Sequence, residues 1–211
     1  MVRKLSITIS VLMHPLLMPT LLFALLFYYS PVITQPINIK AANYLLLAVF
    51  ITTFLLPMVS ITALRFSDFL QKGKITALSI PRRKDRVIPF FFTSLFYIIT
   101  TYMFFSKFKV SQVLVVILAA TTLIILLVSF FTLFIKVSAH SASASAFIGF
   151  LVGLGLKYPE EKLVWPLLLT LLLGGLVMSA RLYLDTHRPI EVLIGSVLGL
   201  SFSLGSIIFF L

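Results

Sequence analysis

Residues 179–199, with the sequence SARLYLDTHRPIEVLIGSVLG, end one apolar run of the chain and begin the next. Between the two runs lie Arg181, His187 and Glu191. The chain has only three histidines and six acidic residues, so one of each four positions apart requires an explanation. Pro189 can open a helix, because its missing N–H costs nothing in the first turn and its φ is already helical. A helix that begins there places Glu191 one turn beyond His187.

From that position the carboxylate of Glu191 can accept a hydrogen bond from one imidazole nitrogen of His187. The bond would fix the tautomer and leave the lone pair of the other nitrogen available for attack. Arg181 can bind phosphate oxygens through its planar guanidinium, and the N–H groups of a helix N-terminus also favour an anion. An ordinary polar loop between two membrane helices is the alternative, and this stretch alone does not decide between them.

The composition indicates an integral membrane protein. Hydrophobic residues make up 60% of the 211 residues and charged residues 11%, with a mean hydropathy of +1.14. A water-soluble domain of this length does not have such a composition. The net charge of +11 comes from bases in short loops between apolar runs, so it favours membrane topology and anionic headgroups over nucleic acid. The chain has no cysteine, and therefore no thiolate site or disulfide framework.

A helix needs about 20 apolar residues to cross the hydrocarbon core of a membrane. Several stretches approach that length, so we predict an all-α, polytopic transmembrane bundle of six to seven spans. The first stretch is too long for the apolar region of a signal peptide, so we interpret it as a retained span. The fifth is the shortest. The predicted spans are Ser6–Tyr29, Ala41–Leu64, Val87–Phe105, Val110–Ile135, Ser141–Leu156, Leu163–Leu182 and Ile190–Leu211.

Small residues recur at every fourth position in two of these spans. They are Ser141, Ser145, Gly149 and Gly153 in the fifth span and Gly195 with Gly199 in the last. Such stripes let two helices approach closely. We therefore predict tight helix packing along them.

Short loops favour one transmembrane domain over residues 1–211. Its predicted parts are two leading spans in 1–64, a basic loop in 65–86 and the catalytic core spans in 87–211. Within the loop, Asp68–Leu78 is a candidate for an amphipathic segment at the membrane interface.

The number of spans between them predicts that the basic cluster Arg82–Arg86, His140 and His187 lie on one side of the membrane. An even number of crossings separates Arg82–Arg86 from His140, and His140 from Arg181–His187. Basic groups and two histidines on one membrane face indicate a site for a phosphorylated ligand.

Here the chain resembles the type 2 phosphatidic acid phosphatases, which share a helical core with vanadium haloperoxidases. That family carries Lys-x6-Arg-Pro, Pro-Ser-Gly-His and Ser-Arg-x5-His-x3-Asp. The third motif is matched by Arg181, His187 and Glu191, with glutamate in place of aspartate. The second appears as Ser138-Ala139-His140 without its proline and glycine.

The first motif is not matched. The cluster Arg82-Arg83-Lys84-Asp85-Arg86 is its positional equivalent and is similar to a run in a divergent bacterial branch of the family. The resemblance implies an acid-phosphatase-like core and a lipid phosphatase acting on a phosphomonoester or a pyrophosphate. It assigns His187 as the nucleophile, Glu191 as its orienting carboxylate and His140 as the acid for the leaving oxygen. The implied phosphate ligands are Arg181, Ser138, Arg82, Arg83, Lys84 and Arg86.

By this resemblance the reaction requires no metal and no other cofactor, and the partners are a phosphorylated lipid substrate and membrane lipids. A non-catalytic family member, or a small transporter that binds a phosphorylated lipid, is the alternative. A prenyltransferase would need paired aspartate-rich motifs, which the sequence lacks. Two interpretations of His14 are open: a structural role, through hydrogen bonding or in a proline-kinked helix, or a place in the pocket wall.

The expected location is a bacterial inner membrane. Basic residues are more numerous on the predicted site face, twelve against five, and the positive-inside rule places such a face in the cytoplasm. The resemblance favours the outer face, and several of these bases would serve the site, so we expect the periplasmic side by a small margin. The twelve are Arg3, Lys4, Arg65, Lys72, Lys74, Arg82, Arg83, Lys84, Arg86, Lys136, Arg181 and Arg188; the five are Lys40, Lys107, Lys109, Lys157 and Lys162.

Overall fold

The computed structural model describes residues 2–72, 87–108 and 110–211, and this part of the protein is mainly helical and contains no strand. Nine α-helices occupy this part, with two 3₁₀ turns and one π-helical segment between them. The helices are α1 Val2–Leu12, α2 Met18–Tyr28, α3 Ile39–Val49, α4 Leu56–Lys72, α5 Val87–Ser106, α6 Gln112–Thr132, α7 Ala139–Lys157, α8 Val164–Tyr183 and α9 Pro189–Phe210.

Seven helical stretches in this part are long and apolar enough to cross a membrane, and they correspond to the seven predicted ones. The chain is thus an all-α, multi-pass membrane protein. The fifth stretch runs over Ala139–Lys157, three residues longer than the predicted Ser141–Leu156 and extended at both ends. The added residues include His140 at its start and Lys157 at its end, and these two polar side chains hid the extension in the sequence.

The first span, Val2–Tyr28, is interrupted in its middle. Helix α1 ends at Leu12, His14 adopts an extended backbone with φ −65° and ψ 133°, and a 3₁₀ turn follows over Pro15–Leu17. Proline disfavours helical geometry in the residue before it, so the sequence His14-Pro15 accounts for the break. Helix α2 then resumes at Met18 and completes the span.

The second span, Ile39–Leu64, is also irregular. A π-helical segment over Phe50–Leu55 separates α3 from α4 and lies just before Pro57. A proline ring collides with the preceding turn of a regular helix, and a wider turn relieves that collision. The π-helical segment packs against the 3₁₀ turn of the first span, so the two irregular stretches lie side by side.

Helices α7 and α9 form the most extensive helix pair in the described part of the chain. A Cβ atom added at Gly199 would lie 2.0 Å from the carbonyl oxygen of Ala142, and one at Gly195 would lie 2.6 Å from that of Ser138. Gly149 and Gly153 face Ser203 and Ile207 at similarly short range. The predicted close packing along the small-residue stripes is confirmed, and it sets α7 and α9 parallel with their first turns adjacent.

The predicted basic loop of residues 65–86 begins later than expected, because α4 continues to Lys72. The first part of the predicted amphipathic segment Asp68–Leu78 therefore prolongs a span. Residues 73–86, including Arg82, Arg83, Lys84 and Arg86, lie outside the described residues. Their predicted roles as phosphate ligands remain predictions.

Candidate active site

A short loop between α8 and α9 places the third histidine. Helix α8 ends at Tyr183, and Asp185 terminates it in the left-handed region with φ 50°, which aspartate tolerates better than most residues. The backbone N–H and the hydroxyl of Thr186 both donate to the carbonyl oxygen of Arg181, at 3.2 and 2.9 Å. Lys136, in the segment before α7, donates from Nζ to the carbonyl oxygen of Thr186 at 2.6 Å. These bonds fix the loop from both sides.

His187 and Glu191 make the hydrogen bond predicted from their spacing. Helix α9 begins at Pro189, and Nδ1 of His187 lies 2.8 Å from Oε2 of Glu191. The same carboxylate oxygen accepts the backbone N–H of Arg188 at 3.3 Å, as a glutamate at this position of a first helical turn commonly does. Both side chains are buried, with 3% and 11% of their surface exposed. In the neutral ring the proton on Nδ1 points to Glu191, so the lone pair lies on Nε2.

Ser138 joins the first turn of α7 to that of α9. Its backbone N–H donates to the carbonyl oxygen of Glu191 at 3.2 Å, and its side chain caps α7 by accepting the N–H of Ser141 at 3.3 Å. The residue is fully buried. The structure thus gives Ser138 a role in helix capping and helix pairing, while phosphate binding by its hydroxyl stays a prediction.

His140 lies in the first turn of α7 and contacts the first span. Its Nε2–H donates to the carbonyl oxygen of Ser10 in α1 at 3.0 Å, because a carbonyl can only accept. The ring of His14 packs edge-to-face against that of His140, with 5.9 Å between centroids. His14 also lies at the break of its helix, where Nδ1 accepts the backbone N–H of Leu16 at 3.3 Å. His14 therefore makes a structural hydrogen bond at the break and packs against His140, while its place in the pocket wall stays a prediction.

Arg181 completes the group from the last turn of α8. Its guanidinium lies close enough to His14 and His140 to interact electrostatically with both rings. His187 is also close enough to interact electrostatically with His140. The structure thus brings together five of the predicted site residues at one end of the bundle. They are His187, Glu191, His140, Ser138 and Arg181.

Residues 128–211 match the family model described as the PAP2 superfamily. This part of the chain, which is less than half of the 211 residues, is similar to the PAP2 superfamily. The match contains both histidine motifs, and it confirms the resemblance to the type 2 phosphatidic acid phosphatases that those motifs indicated. No curated protein and no solved structure matches the chain significantly. Since the PAP2 superfamily generally consists of phosphatases, the match supports phosphatase activity.

The PAP2 match begins near the end of the fourth span, yet the first span supplies part of the site. The Ser10 carbonyl, the ring of His14 and, just inside the match, the amine of Lys136 all contact its residues. The sequence predicts Lys136 only as a charge on the site face, and it predicts no role for Ser10. The one available signal was the His14-Pro15 pair, because a proline within a span exposes main-chain groups of the preceding turn.

An apolar cleft opens beside the PAP2 motifs. It runs between the first span, α6 and α7, and Ala139 and Ser143 lie on its wall next to His140. Almost all of its surface is apolar, with Leu22, Ile124 and Phe147 among the lining residues.

Within the described ranges, no three histidine, aspartate or glutamate side chains are grouped closely enough to hold a metal ion. Glu191, the acidic side chain that is bonded to His187, already accepts two hydrogen bonds through one carboxylate oxygen.

Proposed function

We propose that the protein is a membrane lipid phosphatase that hydrolyses a phosphomonoester or a pyrophosphate through a phosphohistidine on His187. The observation that carries the proposal is the 2.8 Å hydrogen bond from His187 to Glu191, in the part of the chain that matches the PAP2 superfamily. A carboxylate on Nδ1 orients the ring and stabilises the positive charge that develops when Nε2 attacks.

In the first step Nε2 of His187 forms a bond to phosphorus as the bond to the leaving oxygen breaks. The electron pair goes to that oxygen, which takes a proton from the protonated ring of His140. In the second step water attacks phosphorus and gives its proton to His140. The P–N bond breaks, its electrons return to His187, and inorganic phosphate leaves. Arg181 stabilises the charge on the equatorial oxygens, which is usually the largest contribution to phosphoryl transfer.

A lipid substrate is supported by the position of the site. The reactive groups lie at the ends of membrane-spanning helices, and the apolar cleft begins next to His140. A phosphorylated headgroup can thus reach the histidines while an acyl or prenyl tail remains among apolar side chains. A purely water-soluble ester would gain nothing from that cleft.

The proposed location is a bacterial inner membrane, with the site on the periplasmic face. The seven spans put the C-terminus on the side opposite the site, so the C-terminus should be cytoplasmic. Reporter proteins fused after Leu211 test this, since a fluorescent protein matures in the cytoplasm and alkaline phosphatase is active outside it. Alkaline phosphatase activity at this position would place the site in the cytoplasm instead.

The activity itself is tested with purified protein and a panel of phosphorylated lipids. We expect phosphate release from at least one lipid, survival of the activity in EDTA and inhibition by vanadate, which adopts the five-coordinate geometry of phosphoryl transfer. Loss in EDTA with recovery in magnesium would overturn the two-histidine mechanism. Lipid binding without any phosphate release would favour a non-catalytic member or a transporter.

A further inference from the structure

We propose that the break in the first span is part of the catalytic apparatus, because it presents the carbonyl oxygen of Ser10 to hold His140 in its working tautomer. In this assignment Ser10 and the His14-Pro15 pair are positioning elements that act through His140. The catalytic consequence rests on the proposed phosphatase function, whereas the tautomer of His140 does not.

The Ser10 carbonyl is available because α1 ends early. In an uninterrupted helix it would accept the N–H of His14, four residues on. The last such bond of this helix in the described chain runs from Met13 to the carbonyl of Ile9, at 2.9 Å. The His14 N–H makes no hydrogen bond to Ser10 in the described chain, and the Nε2–H of His140 donates to this carbonyl at 3.0 Å instead.

Several contacts hold the break in this form. Pro15 disfavours a helical His14, and the His14 ring caps the following 3₁₀ turn through its bond from Leu16. Phe54, in the π-helical segment, packs edge-to-face on His14 with 6.2 Å between ring centroids. Ser10 itself is 7% exposed, and its hydroxyl donates to Ser6 within α1 rather than to the site. The main chain of Ser10, not its side chain, is thus what reaches His140.

The bond decides which nitrogen of His140 transfers the proton. With Nε2–H held by Ser10, the neutral ring has its lone pair on Nδ1, so a second proton binds at Nδ1 and is the one passed to the leaving oxygen. A carbonyl is a dipole rather than an anion, so it orients the ring without the full charge that would retain the second proton. A neutral carbonyl partner is therefore appropriate for a histidine that donates a proton. The Glu191 carboxylate is appropriate for a nucleophilic histidine that becomes positively charged.

The first test measures the tautomer directly. The full chain, labelled with ¹⁵N at its three histidines and embedded in lipid nanodiscs, is examined by NMR, and signals are assigned with His14→Asn and His187→Gln variants. We expect neutral His140 to carry its proton on Nε2, and to lose this preference in Pro15→Ala, which lets His14 become helical and bond to Ser10. Pro19→Ala is the matched control, since it removes a proline from the first turn of α2 in the same span.

A wild-type His140 protonated on Nδ1, or an unchanged tautomer in Pro15→Ala, would overturn the proposal. Neither result depends on any enzymatic activity. If the tautomers are as expected but no ester is hydrolysed, the proposed function fails and the positioning of His140 stands.

The second test measures catalysis and uses a pair of substitutions at His14. Asparagine is a strong helix N-cap residue and alanine is not, so His14→Asn should keep more of the break and of the activity than His14→Ala. The loss should be about tenfold or more on an alkyl phosphate and much smaller on p-nitrophenyl phosphate, because only the former needs an acid. An equal loss on both esters, or equal activity of the alanine and asparagine variants, would contradict the proposal.

Discussion

The two histidines of the site are held in different ways. His187 is fixed by a carboxylate one turn ahead in its own chain segment, through a bond of 2.8 Å to Glu191. His140 is fixed by a main-chain carbonyl 130 residues away, through a bond of 3.0 Å to Ser10. One contact is charged and local, and the other is neutral and joins the first span to the fifth.

This difference corresponds to two chemical tasks. A histidine that attacks phosphorus gains positive charge, and a neighbouring carboxylate stabilises that charge. A histidine that donates a proton must be oriented but must also release the proton, which a neutral carbonyl allows. The separation also has a structural consequence. His187, the proposed nucleophile, needs only the turn before α9, whereas His140, the proposed acid, needs the first span to be in place.

The largest expected effect on turnover follows from removing His187, the proposed nucleophile. His187→Ala should abolish turnover of every phosphate ester, however good its leaving group, because no nitrogen remains to attack phosphorus. The loss of turnover is measured as phosphate release from lipid phosphates and from p-nitrophenyl phosphate. Retention of substantial activity on either ester would show that His187 is not the nucleophile.

The next effect separates His140 from His187. His140→Ala removes only the proton donor, so a lipid alcohol should leave far more slowly while p-nitrophenolate leaves without help. General acid catalysis contributes about 10²–10⁴-fold, so the defect should differ between the two esters by about tenfold or more. The variant also lacks the base for the second step, and acid-labile, alkali-stable phosphate should accumulate on His187. Equal defects on both esters with no trapped intermediate would remove His140 from its assigned role.

A smaller effect is expected at Arg181, which is within electrostatic range of His14 and His140. Arg181→Lys keeps the charge but loses the planar fork that binds two oxygens. The loss of about 1.5–3 kcal/mol of charge-assisted bonding should lower kcat/KM by about tenfold or more. Kinetics on the preferred lipid measure this, and wild-type values would show that Arg181 has a structural role only.

Local patterns in the sequence predicted much of this molecule. Runs of apolar residues predicted the spans, and the spacing of His187 and Glu191 predicted their bond, because helical geometry fixes both. The continuation of α4 to Lys72 was missed because its sequence is too polar for a span, and this helix extends beyond the apolar residues. The Ser10–His140 bond was missed for a different reason. A main-chain carbonyl has no sequence signature, and its partner lies in a distant part of the chain.

The smallest effect concerns the packing that keeps the two histidines together. A Cβ at Gly199 would lie 2.0 Å from the carbonyl oxygen of Ala142, so Gly199→Ala must push α9 away from α7. Overpacking of this kind costs about 1–3 kcal/mol. We therefore expect a lower unfolding midpoint in detergent, and a decrease in kcat of less than tenfold because the first turns of both helices shift.

Gly175 in α8 provides the matched control, since a Cβ there would meet nothing within 4 Å. Gly175→Ala should leave the midpoint unchanged or slightly higher, because alanine favours a helix more than glycine does. Both variants are measured by thermal unfolding under identical conditions, with kcat normalised to the folded fraction. If the two alanine variants unfold at the same midpoint, close contact at Gly199 does not hold α7 against α9. If Gly199→Ala is destabilised but its kcat is unchanged, the positions of His140 and His187 do not depend on this contact, and the Ser138–Glu191 bond in the first turns is sufficient to fix them.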